Sequence, residues 1–350
     1  MKKYIALLHL LFIQTITINA TLPLNLQLPD DPFWKEDALE ANSNINHFIE
    51  PADSINYADY HYVGAHNAHV YHRFFETVRQ QDQTILGHLT YGVRGLMLDT
   101  YNFNLTQPAA IRGPEGAKIA LSHGQPGVLA FSQKGHQSYQ SLQYELRRII
   151  EFMKNNPKAI ITIILENYGN LNQTAAEIQA VTKAANYDPI LKPTDWKATN
   201  KSPQEWPTLG WMRSNNKRLI IFTQFGNNTN VTWREYSKVI ENKYSTTDDN
   251  ELCSQREEST KYGNNRTLVV MNNFSNLAVT RALKDTKQQV SYDAVKRITT
   301  NCKNKGFAQG KLFNGYFADR IIDSCNDLYN NKQKTIFDYV NELNAGATNQ

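Results

Sequence analysis

Tyr62-Val63-Gly64-Ala65-His66-Asn67-Ala68-His69 is the stretch on which the fold turns. An apolar run without charge stops abruptly on an imidazole and an amide. Three later runs do the same. Val93-Arg94-Gly95-Leu96-Met97-Leu98 stops on Asp99, Ile119-Ala120-Leu121-Ser122 on His123-Gly124, and Ile160-Ile161-Thr162-Ile163-Ile164-Leu165 on Glu166-Asn167. Hydrophobic, β-branched segments closing on a polar side chain are the pattern of buried parallel strands whose carboxyl ends open into a site. Four such ends on one face bring two imidazoles, two carboxylates and an amide together.

Three further runs follow: Arg218 to Thr223 ending at Gln224, Thr267 to Met271 ending at Asn272-Asn273, and Asn314 to Ala318 ending at Asp319. Helical spacing lies between them. Thr84 to Leu89 has apolar spacing, and Leu142, Leu146, Ile149, Ile150 and Met153 recur at three and four residues until Pro157 stops the pattern. Helices are also expected over 174–185, 232–242 and 290–304. Strand alternating with helix, and no Gly-x-Gly-x-x-Gly after the first strand, predicts an α/β fold, a TIM-type (β/α) barrel in one domain over 58–345. Seven strands are visible, so closure is an inference.

The converging groups suit phosphoryl chemistry. Two histidines can divide general base and general acid duty, because imidazole titrates nearest neutrality. Two carboxylates and an amide oxygen are hard ligands of the kind calcium or magnesium takes. His61, His69, His72 and His88 surround His66, and a lone histidine is more often structural than catalytic. Glu166 is harder to explain as structure, since a buried carboxylate needs a partner or a metal. Asn67 has a rival reading as a helix cap.

Gly64-Ala65-His66-Asn67, Gly92 to Tyr101, Leu121-Ser122-His123-Gly124 and Ile164 to Tyr168, in that order, resemble the X domain of phosphatidylinositol-specific phospholipases C, in its secreted phosphodiesterase branch. The resemblance covers about residues 58–170, with weaker echoes to about 320. It implies that His66 and His123 are catalytic and that Asn67, Asp99 and Glu166 bind calcium. Asp319 resembles a last-strand aspartate that supports the first histidine in metal-free bacterial members, and it is assigned with Arg94 to the substrate. Calcium-dependent members carry an acidic residue where this chain has Met97, and metal-free ones an arginine where it has Asp99. The implied reaction cleaves an inositol phospholipid to diacylglycerol and inositol cyclic phosphate. Two alternatives stay open. One is another phosphodiesterase on the same barrel, although the His-Arg-Gly opening and Glu-x-Asp pair of glycerophosphodiesterases are missing. The other is a catalytically silent barrel that binds head groups or glycans.

The N-terminus reads as a secretory signal peptide over residues 1–20: Met1-Lys2-Lys3, an apolar stretch, then Asn19-Ala20. A polar lead-in follows over 21–57. Removing Lys2 and Lys3 lowers the formal charge from +4 to +2, too little to argue for nucleic acid. A monomer acting on phospholipid at a membrane surface, with no transmembrane segment in the mature chain, is expected. Cys253, Cys302 and Cys325 allow one bridge, most naturally Cys302 to Cys325, or three free thiols. The polar stretches 187–210 and 243–266 read as long loops. Trp196, Trp206 and Trp211 are either interfacial anchors or packed residues.

Overall fold

The computed structural model describes residues 45–71, 80–103, 117–124, 140–197, 206–228, 230–244, 246, 248–263, 265–274 and 286–347. The expected leader, the lead-in as far as residue 44, and His72 lie outside them.

Among the described residues ten strands form one sheet: β1 (Tyr62–Ala65), β2 (Gly95–Asn102), β3 (Ile119–Leu121), β4 (Gln140–Ser141), β5 (Ile161–Asn167), β6 (Leu219–Thr223), β7 (Trp233–Arg234), β8 (Val239–Glu241), β9 (Leu268–Asn272) and β10 (Gly315–Ala318). Eight run parallel in the order β7-β6-β5-β2-β1-β10-β9-β8. The sheet curls into a TIM-like α/β barrel that stays open, since no ladder joins β7 to β8 among the described residues. Helices α1 (Ile85–Tyr91), α2 (Leu142–Asn155), α3 (Leu171–Ala184), α4 (Tyr292–Asn304), α5 (Ile321–Asn330) and α6 (Ile336–Ala347) bury their apolar faces in the same core. Local chemistry fixes their ends. Thr84 Oγ1 caps α1 by accepting from Gly87 N, and Gly92 at φ 119° ends it. Such a φ suits glycine, which has no Cβ to clash. Ser141 caps α2 in the same way through Tyr144 N.

Register decides what points inward. Neighbouring parallel strands share faces at partnered residues, with a period of two. The Gly64↔Gly95, Gly95↔Thr162 and Gly64↔Phe317 partners place Tyr62, Gly64, Met97, Ile164 and Phe317 inside. A Cβ on Gly64 would lie 2.4 Å from the Phe317 ring, and one on Gly95 2.8 Å from the Tyr62 ring. The glycines therefore admit two aromatic rings as the floor. Below that floor Tyr57 and Thr162 hydroxyls share a 2.6 Å bond. The next inward positions are His66, Asp99, Glu166 and Asp319, so the polar layer rests on a packed apolar base.

Four expectations are corrected, and the choice left open for the tryptophans is decided. β3 is antiparallel to β2, with Thr100 opposite Leu121. The 232–242 stretch is not a helix but β7, a 3-10 turn at Glu235–Ser237, and β8. The disulfide joins Cys253 to Cys302, and Cys325 is a buried free thiol. Trp196 and Trp206 are buried, and Trp211 packs on Trp196, so these rings belong to the core and not to a lipid interface.

Arg94 is the fourth correction. It is no substrate ligand, because it sits at the foot of β2, at the end opposite Asp99. Its guanidinium is buried between Phe48 and Phe152, meets Glu50 at 2.8 Å, and donates to Leu89 O and Val93 O. Removing one partner of a buried pair strands the other charge. Arg94→Ala is expected to lower stability by about 3 kcal/mol in chemical denaturation.

Candidate active site

His66 follows β1, and its Nδ1 lies 2.9 Å from Asp319 Oδ1, which follows β10. Gln81 Nε2 donates to both His66 O and Ala318 O, tying the two strand ends. The imidazole stacks on Phe274, with centroids 3.4 Å apart. A carboxylate accepts Nδ1–H, so the neutral ring has its lone pair on Nε2.

His123 arrives by a different route. β2 runs past Asp99 to Asn102, and β3 returns along it, so Ser122 N donates to Asp99 O at 3.2 Å and His123 comes back level with the carboxylates. Its Nδ1 lies 3.2 Å from Gln80 Nε2. The Gln80 amide is oriented by Asn67, whose Nδ2 donates to Gln80 Oε1 at 2.8 Å. An amide NH2 can only donate, so Nδ1 of His123 accepts and the neutral ring carries its proton on Nε2. The two imidazoles therefore have opposite proton placements at Nε2.

The other described histidines near them are structural. His61 Nδ1 is bound to Phe313 O at 2.7 Å, and burial pushes its pKa down to about 4. His88 is likewise pushed down to about 4 by burial, with Nδ1 on Thr84 O. His69 is held well below its ordinary value by burial, then by His123 and His66.

Asp99 and Glu166 are register partners on β2 and β5. Asp99 Oδ1 is buried without a hydrogen-bond partner, and burial followed by the Glu166 charge raises the Asp99 pKa well above the usual range. Glu166 Oε1 accepts from Gln224 Nε2 at 3.3 Å, and Oε2 from the Tyr168 hydroxyl at 3.0 Å. Asn67 adopts a left-handed φ of 44°, which asparagine tolerates. It opens a turn in which Val70 N bonds Asn67 O. With Nδ2 committed to Gln80, its amide oxygen is the atom left to face a cation. Two adjacent carboxylates, one of them orphaned, and an amide oxygen fit a hard divalent cation. Met97, at the position that would supply another carboxylate, is buried and apolar.

These groups line an open cleft of about 380 Å³ together with residues the sequence reading gave no role: Tyr101, Tyr168, Tyr244 and Arg256. Tyr101 and Tyr168 stack at 4.9 Å, and Tyr168 meets Phe225 at 5.7 Å. Tyr168 and Phe225 are 51% and 49% exposed, an aromatic rim beside the opening. The period of two from Asp99 to Tyr101 and from Glu166 to Tyr168 was the signal for the first pair. Arg256 and Gln80 stand in polar stretches without any such signal. Asp319 is placed behind His66 and does not line the cleft, so it is a positioning residue in place of a substrate ligand.

The family model described as PI-PLC X 1 matches residues 127–313, more than half of the chain. The chain belongs to the PI-PLC X family. The matched residues take in Glu166 and Arg256 and begin just after His123. A PI-PLC X domain-containing protein of Arabidopsis thaliana is 31% identical over 150 residues, covering 42% of this chain and 30% of that protein. The match thus spans less than a third of that relative. Among solved structures, the phosphatidylinositol-specific phospholipase C of Listeria monocytogenes is 15% identical, with a TM-score of 0.47 over 82% of this chain and 97% of that one. The Staphylococcus aureus enzyme is 11% identical, with a TM-score of 0.49 over 83% and 94%. Among the described residues of this PI-PLC X family chain, no helix is long and apolar enough to cross a membrane.

Proposed function

We propose that this chain is a phosphoric diester hydrolase or lyase that cleaves phosphatidylinositol-type lipids to diacylglycerol and inositol cyclic phosphate. The observation that carries the reading is the opposite proton placement on two histidines that line one cleft. A base needs a lone pair facing the nucleophile, and an acid needs a proton facing the leaving group. Family membership supports the substrate class.

In this mechanism the inositol 2-hydroxyl attacks phosphorus and gives its proton to His66 Nε2. Asp319 holds the resulting imidazolium in place. The bond to the diacylglycerol oxygen breaks, and that oxygen takes a proton from Nε2 of His123 in its imidazolium form, in which Nδ1 also carries a proton and the Gln80 amide turns its oxygen to accept it. Water then restores the two proton states, or opens the cyclic ester with the roles reversed. Asn67, Asp99 and Glu166 would hold calcium, which supplies positive charge to the phosphoryl oxygens when bound. Export from the cytosol is part of the proposal, supported by the leader pattern and by the Cys253–Cys302 bridge, since such bridges persist in oxidising compartments. The enzyme is proposed to work as a monomer at a lipid surface, with Tyr168 and Phe225 at the rim.

Gln80 offers a direct test of the proton assignment. Gln80→Glu replaces a donor at His123 Nδ1 by a carboxylate that stabilises the imidazolium. The alkaline limb of the pH–kcat profile, which reports loss of the acid's proton, is expected to move up by about one unit or more. An unmoved alkaline limb contradicts the role given to His123.

A further inference from the structure

No ladder closes the seam between β7 and β8 among the described residues, and buried carboxyls gather beside it. Glu235 follows β7 and Glu241 ends β8, and both are fully buried. Glu241 Oε2 accepts from Arg256 Nη1 at 3.0 Å, and Glu258 Oε2 accepts from Nε at 3.1 Å. The guanidinium stands 5.1 Å from the Tyr244 ring centroid and reaches within 3.7 Å of Glu166 Oε1 on β5. Nη2 has no hydrogen bond to the protein among the described residues, although Arg256 lines the cleft.

We propose that Arg256 is a substrate-binding residue whose Nη2 donates to a non-bridging oxygen of the phosphodiester, and that Glu241, backed by Glu235, is the positioning residue that sets it. The inference rests on the phosphodiester reading of the cleft. Two observations carry it. Arg256 is the one lysine or arginine lining the cleft among the described residues, and Asp99 and Glu166 by themselves repel an anion. The guanidinium is fixed by two carboxylates and an aromatic face while one nitrogen is left over, a preorganised charged donor for a phosphate oxygen. A guanidinium keeps its charge at any working pH, so the donor is permanent. Burial and then the Glu241 charge raise the Glu235 pKa well above the usual range, which disfavours a second negative charge behind Glu241.

The test is calorimetric titration of inorganic phosphate into the full chain in chelator, alongside kinetics on phosphatidylinositol vesicles. Arg256→Gln is expected to weaken phosphate binding roughly 10- to 100-fold and to raise KM by a similar factor. Arg256→Lys keeps the charge but loses the guanidinium, and is expected to fall between. Glu241→Gln is expected to raise KM with kcat nearly unchanged. Wild-type phosphate affinity in a folded Arg256→Gln chain overturns the proposal, as does a wild-type chain that binds no phosphate. If Arg256→Gln does not fold, unchanged affinity in Arg256→Lys overturns it equally. Arg256-dependent phosphate binding in a chain that leaves phosphatidylinositol intact upholds Arg256 and removes the lipid substrate.

Discussion

Replacing His123 by alanine is expected to lower kcat on phosphatidylinositol by about two to four powers of ten, the range typical of a general acid or base. His66→Ala is expected to lose a comparable factor. The two substitutions should not multiply, because each proton transfer is useful only when the other has a partner. What separates them is the pH profile. His66→Ala removes the acidic limb, since the base must be unprotonated, and His123→Ala removes the alkaline limb. Asp319→Asn tests the support behind His66. An amide cannot stabilise the imidazolium at Nδ1, so kcat should fall while KM stays near wild type. Wild-type turnover in either histidine variant, measured by release of diacylglycerol from vesicles, contradicts the assignment.

Asp99→Asn has the second large effect, and it moves activity and stability in opposite directions. Asp99 is buried beside Glu166, with one oxygen unpartnered and its pKa raised by burial and then by that neighbour. A carboxyl raised in the folded state holds its proton more tightly there than in the unfolded chain. Its favourable contribution is complete below the unfolded value, near pH 4, and is lost as pH rises through the folded one. At neutral pH an ionised Asp99 therefore destabilises the fold unless a cation sits against it. In chelator at pH 7, Asp99→Asn is expected to raise Tm by roughly 2 °C or more, with the gain disappearing at pH 4. Calcium should raise the Tm of the wild-type chain by mass action and leave that of the variant unmoved. Activity of the variant should lose its calcium dependence. Differential scanning calorimetry across pH and calcium concentration reads all of these. A calcium response retained in Asp99→Asn contradicts the metal site without touching the histidines.

The parts of the site legible in the sequence are those where a hydrophobic run stops on a polar residue. His66, Asp99, Glu166 and Asp319 all end inward-facing positions of parallel strands, and the register places them in one layer. His123 was legible as a run end, but its direction was not, because three residues of strand carry no mark of parallel or antiparallel pairing. The turn at 232–242 misled through its spacing. Trp233, Tyr236, Val239 and Ile240 recur at three and four residues, which a helix would produce, yet a 3-10 turn between two short strands gives the same intervals. Cys302 was paired with its nearer neighbour in sequence. The short helix Asp249–Leu252 packs against α4 and brings Cys253 to it instead. Arg94 was assigned to the substrate and Arg256 to nothing for a similar reason. Arg94 stands in a recognisable motif but at the foot of its strand, whereas Arg256 stands in a loop without pattern and reaches the cleft only through the fold.

The central claim is tested most directly by incubating the purified chain with phosphatidylinositol vesicles in calcium and in chelator, and following the products by mass spectrometry. Inositol cyclic phosphate and diacylglycerol in equal amounts, formed with calcium and lost with His123→Ala, is the predicted result. Intact lipid in both conditions, in a chain shown by calorimetry to be folded, would contradict it.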